Sequence, residues 1–174
     1  MSILKKKFFE RSTIMIAKEL LGKFLVLRRP TSKLRRRTSC FMITEVEAYD
    51  GPHDKASHAH RGKTARNEPM FGEAGIWYVY FTYGMHFMLN IVTDKKGYPA
   101  AILIRGVEGV NGPGRLTKFL KINKKFNNTP ANKKTGLWIE DFGVRLKKSQ
   151  IKTSPRIGVP YAKEWKDEYF RFYL

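Results

Sequence analysis

The chain is poor in the residues that would mark it as secreted, membrane-spanning or built around sulfur-bound metal. One cysteine, Cys40, among 174 residues excludes an internal disulfide and any cysteine-based zinc cluster. No apolar run approaches the roughly 18 residues of a spanning helix. The opening residues place Lys5, Lys6 and Lys7 where an export signal needs an apolar stretch. These features point to a cytosolic protein with no membrane partner. Internal repeats, low-complexity tracts, the nucleotide-hydrolase phosphate loop, the dinucleotide fingerprint and the glycine-framed serine elbow are all missing as well. Acids are scarce: 15 Asp and Glu stand against 34 Lys and Arg, for a net charge of +19. An imbalance of that size speaks about partners rather than fold, and nucleic acid is the first candidate.

The imbalance is not spread evenly. Lys and Arg outnumber Asp and Glu by 12 to 2 before Cys40 and by 15 to 6 after Arg105, yet number 7 and 7 between them. A chain built this way is expected to lie on a polyanion through its flanks while its neutral middle does chemistry that needs acids. The length suits one domain spanning residues 1–174, and a hydrophobic fraction of 42% is enough for a real core.

Ser12 is placed to cap a helix through Leu21, with Gly22 as its stop and Ile14, Ala17, Leu20 and Leu21 as its apolar stripe. Residues 23–29 and 40–49 read as strands joined by a basic turn over 30–37, with Arg35, Arg36 and Arg37 at its tip. Period two puts Phe41, Ile43, Glu45, Glu47 and Tyr49 on one face of the second strand. Residues 53–75 form a long loop, which in a small domain is usually functional. Residues 76–82 and 86–93 pair around Tyr83-Gly84-Met85, and a buried strand over 100–104 ends at Arg105. Gly112-Pro113-Gly114 opens a short basic helix, and further strands are expected at 137–142, 155–159 and 169–173. The fold class is α+β, dominated by antiparallel sheet.

Three constellations bear on chemistry. Glu45 and Glu47 are either arginine partners on a solvated face or, beside aromatics, a desolvated general base. His53, Asp54, His58 and His60 are the right residue types for a metal, but their spacing matches no metal motif, and a histidine contacting a base is the better reading. Tyr83 and Met85 occupy a hairpin tip that normally carries polar turn residues. Either they fold back into the core or, in so basic a chain, they wedge between base pairs.

The motifs Ile43 to Asp54, Ala56-Ser57-His58, Arg66-Asn67, Tyr78-Val79-Tyr80, Tyr83-Gly84-Met85-His86, Asn90-Ile91, Ala101 to Arg105, Gly112 to Thr117, Arg156 to Val159 and Arg171-Phe172-Tyr173 run through nearly the whole chain. In this order and spacing the sequence resembles the alkyladenine (3-methyladenine) DNA glycosylases of bacteria and animals. The resemblance implies a monomeric, cofactor-free, metal-free enzyme of the prokaryotic nucleoid that flips damaged purines from duplex DNA and hydrolyses the N-glycosidic bond. It implies Glu47 as activator of the attacking water and Arg105 as its helper. It places Tyr49 on one face of the flipped base, His58 and Tyr80 on the other, and Asn90 at the pocket floor. Tyr83, supported by Met85, fills the gap in the duplex, and Glu45 is structural. Compared with many such enzymes, the connection from Gly106 to Gly112 is short, so one DNA-facing loop is expected to be missing.

Overall fold

The computed structural model describes residues 1–31 and 35–174, with the backbone alone at 29–31 and 35–37. Its elements are β1 (Ser2–Ile3), α1 (Lys6–Phe9), α2 (Thr13–Leu20), β2 (Phe24–Thr31), β3 (Arg35–Asp50), β4 (Ile76–Thr82), β5 (His86–Val92), β6 (Ala100–Val107), β7 (Val110–Asn111), α3 (Pro113–Leu120), β8 (Thr129–Pro130), β9 (Leu137–Asp141), β10 (Lys152–Ser154) and β11 (Arg171–Tyr173). All pairings are antiparallel, in the order β1-β9-β2-β3-β6-β5-β4-β8. The sheet is strongly curled, which makes the α+β assignment concrete. β3 is long enough to take two partners on one edge: β2 pairs with its first half and β11 with Glu45, Val46 and Glu47.

Cross-strand register explains how one sheet supplies both a core and a site. Trp77, Ile91, Ile102 and Ala48 pair in a row across β4, β5, β6 and β3, and all are fully buried in the main apolar cluster. The next row, Tyr78, Asn90, Leu103 and Glu47, points to the opposite face. α2 covers the core face over β3, while α3 covers it over β5 and β6. Each fully buried aliphatic side chain there contributes about 1.5–3 kcal/mol.

Four sequence expectations need correction. The helix runs Thr13–Leu20 with Ser12 at its N-cap position, but the Ser12 side chain makes no capping hydrogen bond, and Ile16 is buried in addition to Ala17 and Leu20; Gly22 follows with φ +79°, as its stop requires. Arg35, Arg36 and Arg37 are not a hairpin tip but begin β3, paired with Thr31, Pro30 and Arg29; residues 32–34 lie outside the described residues. Phe41 and Ile43 do not share a face with Glu45, Glu47 and Tyr49. The β3–β6 register shifts between Ile43 and Val46, so Ile43 joins Val46 and Ala48 in the core while the acids turn to the other side. Gly106 sits opposite this bulge, where an added Cβ would lie 3.2 Å from Glu45 Cβ and 3.3 Å from Thr44 Oγ1. Finally, 155–159 is not a strand. Pro155 and Pro160 bracket it, Gly158 has φ +81°, and the N–H of Ile157 is donated to a carboxylate instead of a neighbouring strand.

Candidate active site

The face of the sheet opposite the core forms the floor of a cavity of about 270 Å³, near the lower end of small-molecule pockets and suited to a single flat heterocycle. Asn90, Leu103 and Ala101 pave the floor. Tyr49 stands at one side, and His58, Tyr78 and Tyr80 at another. Ile157, Val159 and Tyr161 close the wall beside Tyr49, and Tyr83 reaches the mouth from the β4–β5 hairpin. Tyr49, His58, Tyr80, Asn90, Arg105 and Tyr83 are thus brought together, while Met85 lies outside the cavity in a shallow groove beside α3.

Glu47 lies behind this wall, fully buried. Its Oε2 accepts from the Tyr49 hydroxyl (3.0 Å) and Arg105 Nη1 (3.3 Å), and its Oε1 accepts from the Ile157 backbone N–H (2.7 Å). A carboxylate has about four acceptor positions, so roughly one remains for a water. Burial raises the Glu47 pKa, opposed by the Arg105 charge, the Ile157 N–H and the Tyr49 hydroxyl. The group is therefore basic for a carboxylate yet still supplied with donors that stabilise its charged form. Tyr49, Tyr78 and Tyr80 are shifted upward by burial, so their hydroxyls stay protonated.

Glu45 has a different environment. Arg105 Nε (2.9 Å) and Arg171 Nε (2.7 Å) both donate to its Oε1, making it the middle of an ion-paired brace between β3, β6 and β11. Two acids two residues apart on one strand are thereby distinguished: one is held between guanidiniums, the other buried beside the cavity.

The histidine loop does not converge on a metal geometry. His58 Nδ1 is 2.9 Å from the Tyr78 hydroxyl, and its ring meets Tyr80 edge-on with centroids 4.6 Å apart. Although one side of the ring is open to the cavity, burial and then the Arg66 charge push its pKa down to about 4, leaving it neutral. His60 Nδ1 lies 3.0 Å from the Pro52 carbonyl. Asp54 is taken up elsewhere: it accepts from both terminal nitrogens of Arg156 and from the N–H groups of Asp50 and Ala56.

That Asp54–Arg156 pair is the feature sequence reasoning missed. Both side chains are fully buried. Arg156 also donates to the carbonyls of Ala48 and Trp165, and its guanidinium lies over the Tyr49 ring at 4.9 Å. It thereby ties the 155–166 segment to the loop entry and backs the Tyr49 wall. Asn67 does similar work across the loop, donating to the carbonyls of His58 (2.8 Å) and Gly62 (2.9 Å). Both residues stand in recognisable motifs, but only long-range packing reveals what they hold.

At the hairpin tip the Met85 N–H donates to the Thr82 carbonyl (3.2 Å), and Tyr83 and Gly84 take φ +52° and +65°. The left-handed region costs a bulky non-glycine residue about 1–2 kcal/mol. Tyr83 is nevertheless 79% exposed and Met85 68% exposed, so neither folds back into the core. Asn90 Nδ2 donates to the carbonyls of Tyr78 (3.1 Å) and Met88 (3.4 Å), which turns its acceptor oxygen to the cavity side.

The profile of the methylpurine-DNA glycosylase (MPG) family matches residues 7–111 and 108–174, the two pieces meeting in the short 106–112 connection. A Legionella pneumophila (strain Corby) protein with the provisional name 3-methyladenine DNA glycosylase is 43% identical over 98% of this chain and 93% of its own length. Proteins of the same provisional name from Ehrlichia chaffeensis and the archaeon Methanocella arvoryzae are each 40% identical over 99% of this chain, covering 93% and 92% of their own lengths. No helix among the described residues is long and apolar enough to cross a membrane. These nearly full-length matches show that the chain belongs to the methylpurine-DNA glycosylase family.

Proposed function

We propose that the protein removes alkylated or deaminated purines from duplex DNA, acting as a monomer on a base that has left the helix stack. The observation that carries this reading is the coupling of an aromatic cavity to a buried carboxylate through Tyr49 and Arg105. A purine must leave the stack to expose its glycosidic bond, and damaged bases cost least to extrude. Tyr83 fills the vacated position, supported by Met85. The base enters between Tyr49 on one side and His58 and Tyr80 on the other, with Asn90 reading its edge and disfavouring guanine's exocyclic amine.

In the chemical step a water oxygen bonds to the sugar C1′ and its proton passes to Glu47. The glycosidic bond breaks with its electron pair leaving on the base. Arg105 holds the carboxylate and the water. The products are a free base and an abasic site in an uncut strand; as written, the reaction calls for no metal or cofactor. The test is to incubate the purified protein with end-labelled duplexes carrying 3-methyladenine, hypoxanthine, ethenoadenine or no lesion, then treat with alkali. Strand scission confined to lesion duplexes and dependent on alkali supports the reading. Scission without alkali, or none on any lesion, contradicts it.

A further inference from the structure

Positive charge sits behind the walls of the cavity. Tyr80 presents one side to the cavity, and the Arg66 guanidinium lies over the same ring, 5.0 Å from its centroid, without itself lining the cavity. Tyr49 is backed in the same manner by Arg156. The two cations differ in their pairing. Arg156 is neutralised by the two-pronged contact with Asp54, whereas Arg66 makes no ion pair among the described residues; it donates to the Phe81 carbonyl, at 3.2 Å, and also hydrogen-bonds the Tyr78 side chain.

An aromatic face attracts a cation through the negative side of its quadrupole. A guanidinium already over the ring draws that density toward itself, and its field acts on whatever lies across the ring. A positively charged base against Tyr80 therefore meets a polarised ring and a like charge, while a neutral base loses little. Resting on the glycosylase reading above, we propose that Arg66, acting through Tyr80, is a specificity determinant that biases the site toward neutral damaged purines over cationic ones. The neutral state of His58 accords with the same field, since Arg66 is the charge that opposes its protonation. Arg66 touches no reacting atom in this scheme and acts only by tuning the wall.

The test uses the full chain and two duplexes, one carrying neutral hypoxanthine and one carrying cationic 3-methyladenine, under single-turnover conditions with saturating enzyme. Each excision rate is divided by the spontaneous rate for that lesion. Wild-type protein is expected to accelerate hypoxanthine release by the larger factor. Arg66→Gln, which removes the charge but keeps a polar side chain, is expected to shift the ratio toward 3-methyladenine by roughly three- to tenfold. Arg66→Lys, which keeps the charge, is expected to hold the wild-type ratio. A lost phosphate contact would slow both lesions alike and cancel. An unchanged ratio in Arg66→Gln, or a lysine variant that behaves like the glutamine one, overturns the proposal. A wild-type protein inactive on both lesions overturns the glycosylase reading, and this inference with it.

Discussion

Burial lifts the Glu47 carboxyl, and Arg105, Ile157 and Tyr49 pull it back without cancelling the lift. The sign for activity follows directly. The protonated acid cannot accept a proton from water, so excision should fall as pH drops through a value above the ordinary glutamate range of about 4.3. His58 does not contribute to that limb, because its own transition lies at about 4. A histidine NMR titration should find its imidazole shifts flat from pH 8 to well below 6; an inflection near the free-histidine value of about 6.5 would contradict this assignment. Glu45 should behave as a brace. Glu45→Gln removes the charge shared by Arg105 and Arg171, leaving both guanidiniums partly buried without it. The expected loss is about 1–3 kcal/mol in thermal or denaturant unfolding, with a much smaller effect on the chemical step.

At the scale of elements, the hairpin and α3 interlock through a close approach. A Cβ at Gly114 would lie 2.7 Å from His86 Cγ, so Gly114→Ala must displace the His86 ring or the helix against it. Destabilisation of about 1–3 kcal/mol is expected from such overpacking, measured by denaturation; an unchanged midpoint would mean that the two elements yield freely. Tyr83 offers the opposite trade. Tyr83→Asn suits the left-handed backbone and should unfold later by up to about 1 kcal/mol, yet bind an abasic duplex more weakly. Much of this architecture was legible in the sequence: the hairpin with its exposed aromatic tip, the buried floor strand that carries Arg105, although it runs on to Val107 instead of ending there, and both glutamates on one side of β3. What escaped shares a physical reason. Period two cannot register the extra residue near Thr44, so it puts Phe41 and Ile43 on the side of the acids. The two prolines around 155–159 gave a warning, but the use of the Ile157 N–H by Glu47 depends on a contact 110 residues away. The Asp54–Arg156 pair, 102 residues apart, is equally invisible to local pattern.

Along the whole chain, basic flanks enclose a neutral central segment, and the proposed function assigns binding to the first and chemistry to the second. If the lysines and arginines contact phosphates, as the proposed function requires, log affinity should fall linearly with log salt for lesion and undamaged duplexes alike; a flat response would reassign the charge to another partner. Chelation should leave excision intact, and activity lost to EDTA and restored by zinc would bring the histidine loop back as a metal site. The central claim is that Glu47 drives the chemistry while the rest of the protein captures the lesion. Its most direct test is single-turnover excision and lesion-duplex affinity measured side by side for the wild type, Glu47→Gln and Glu45→Gln. Glu47→Gln should lose roughly two or more orders of magnitude in excision rate while binding as tightly as the wild type or slightly more so, and Glu45→Gln should keep most of the rate. Full activity in Glu47→Gln, or the loss appearing in Glu45→Gln instead, would contradict the assignment of the attacking water to Glu47.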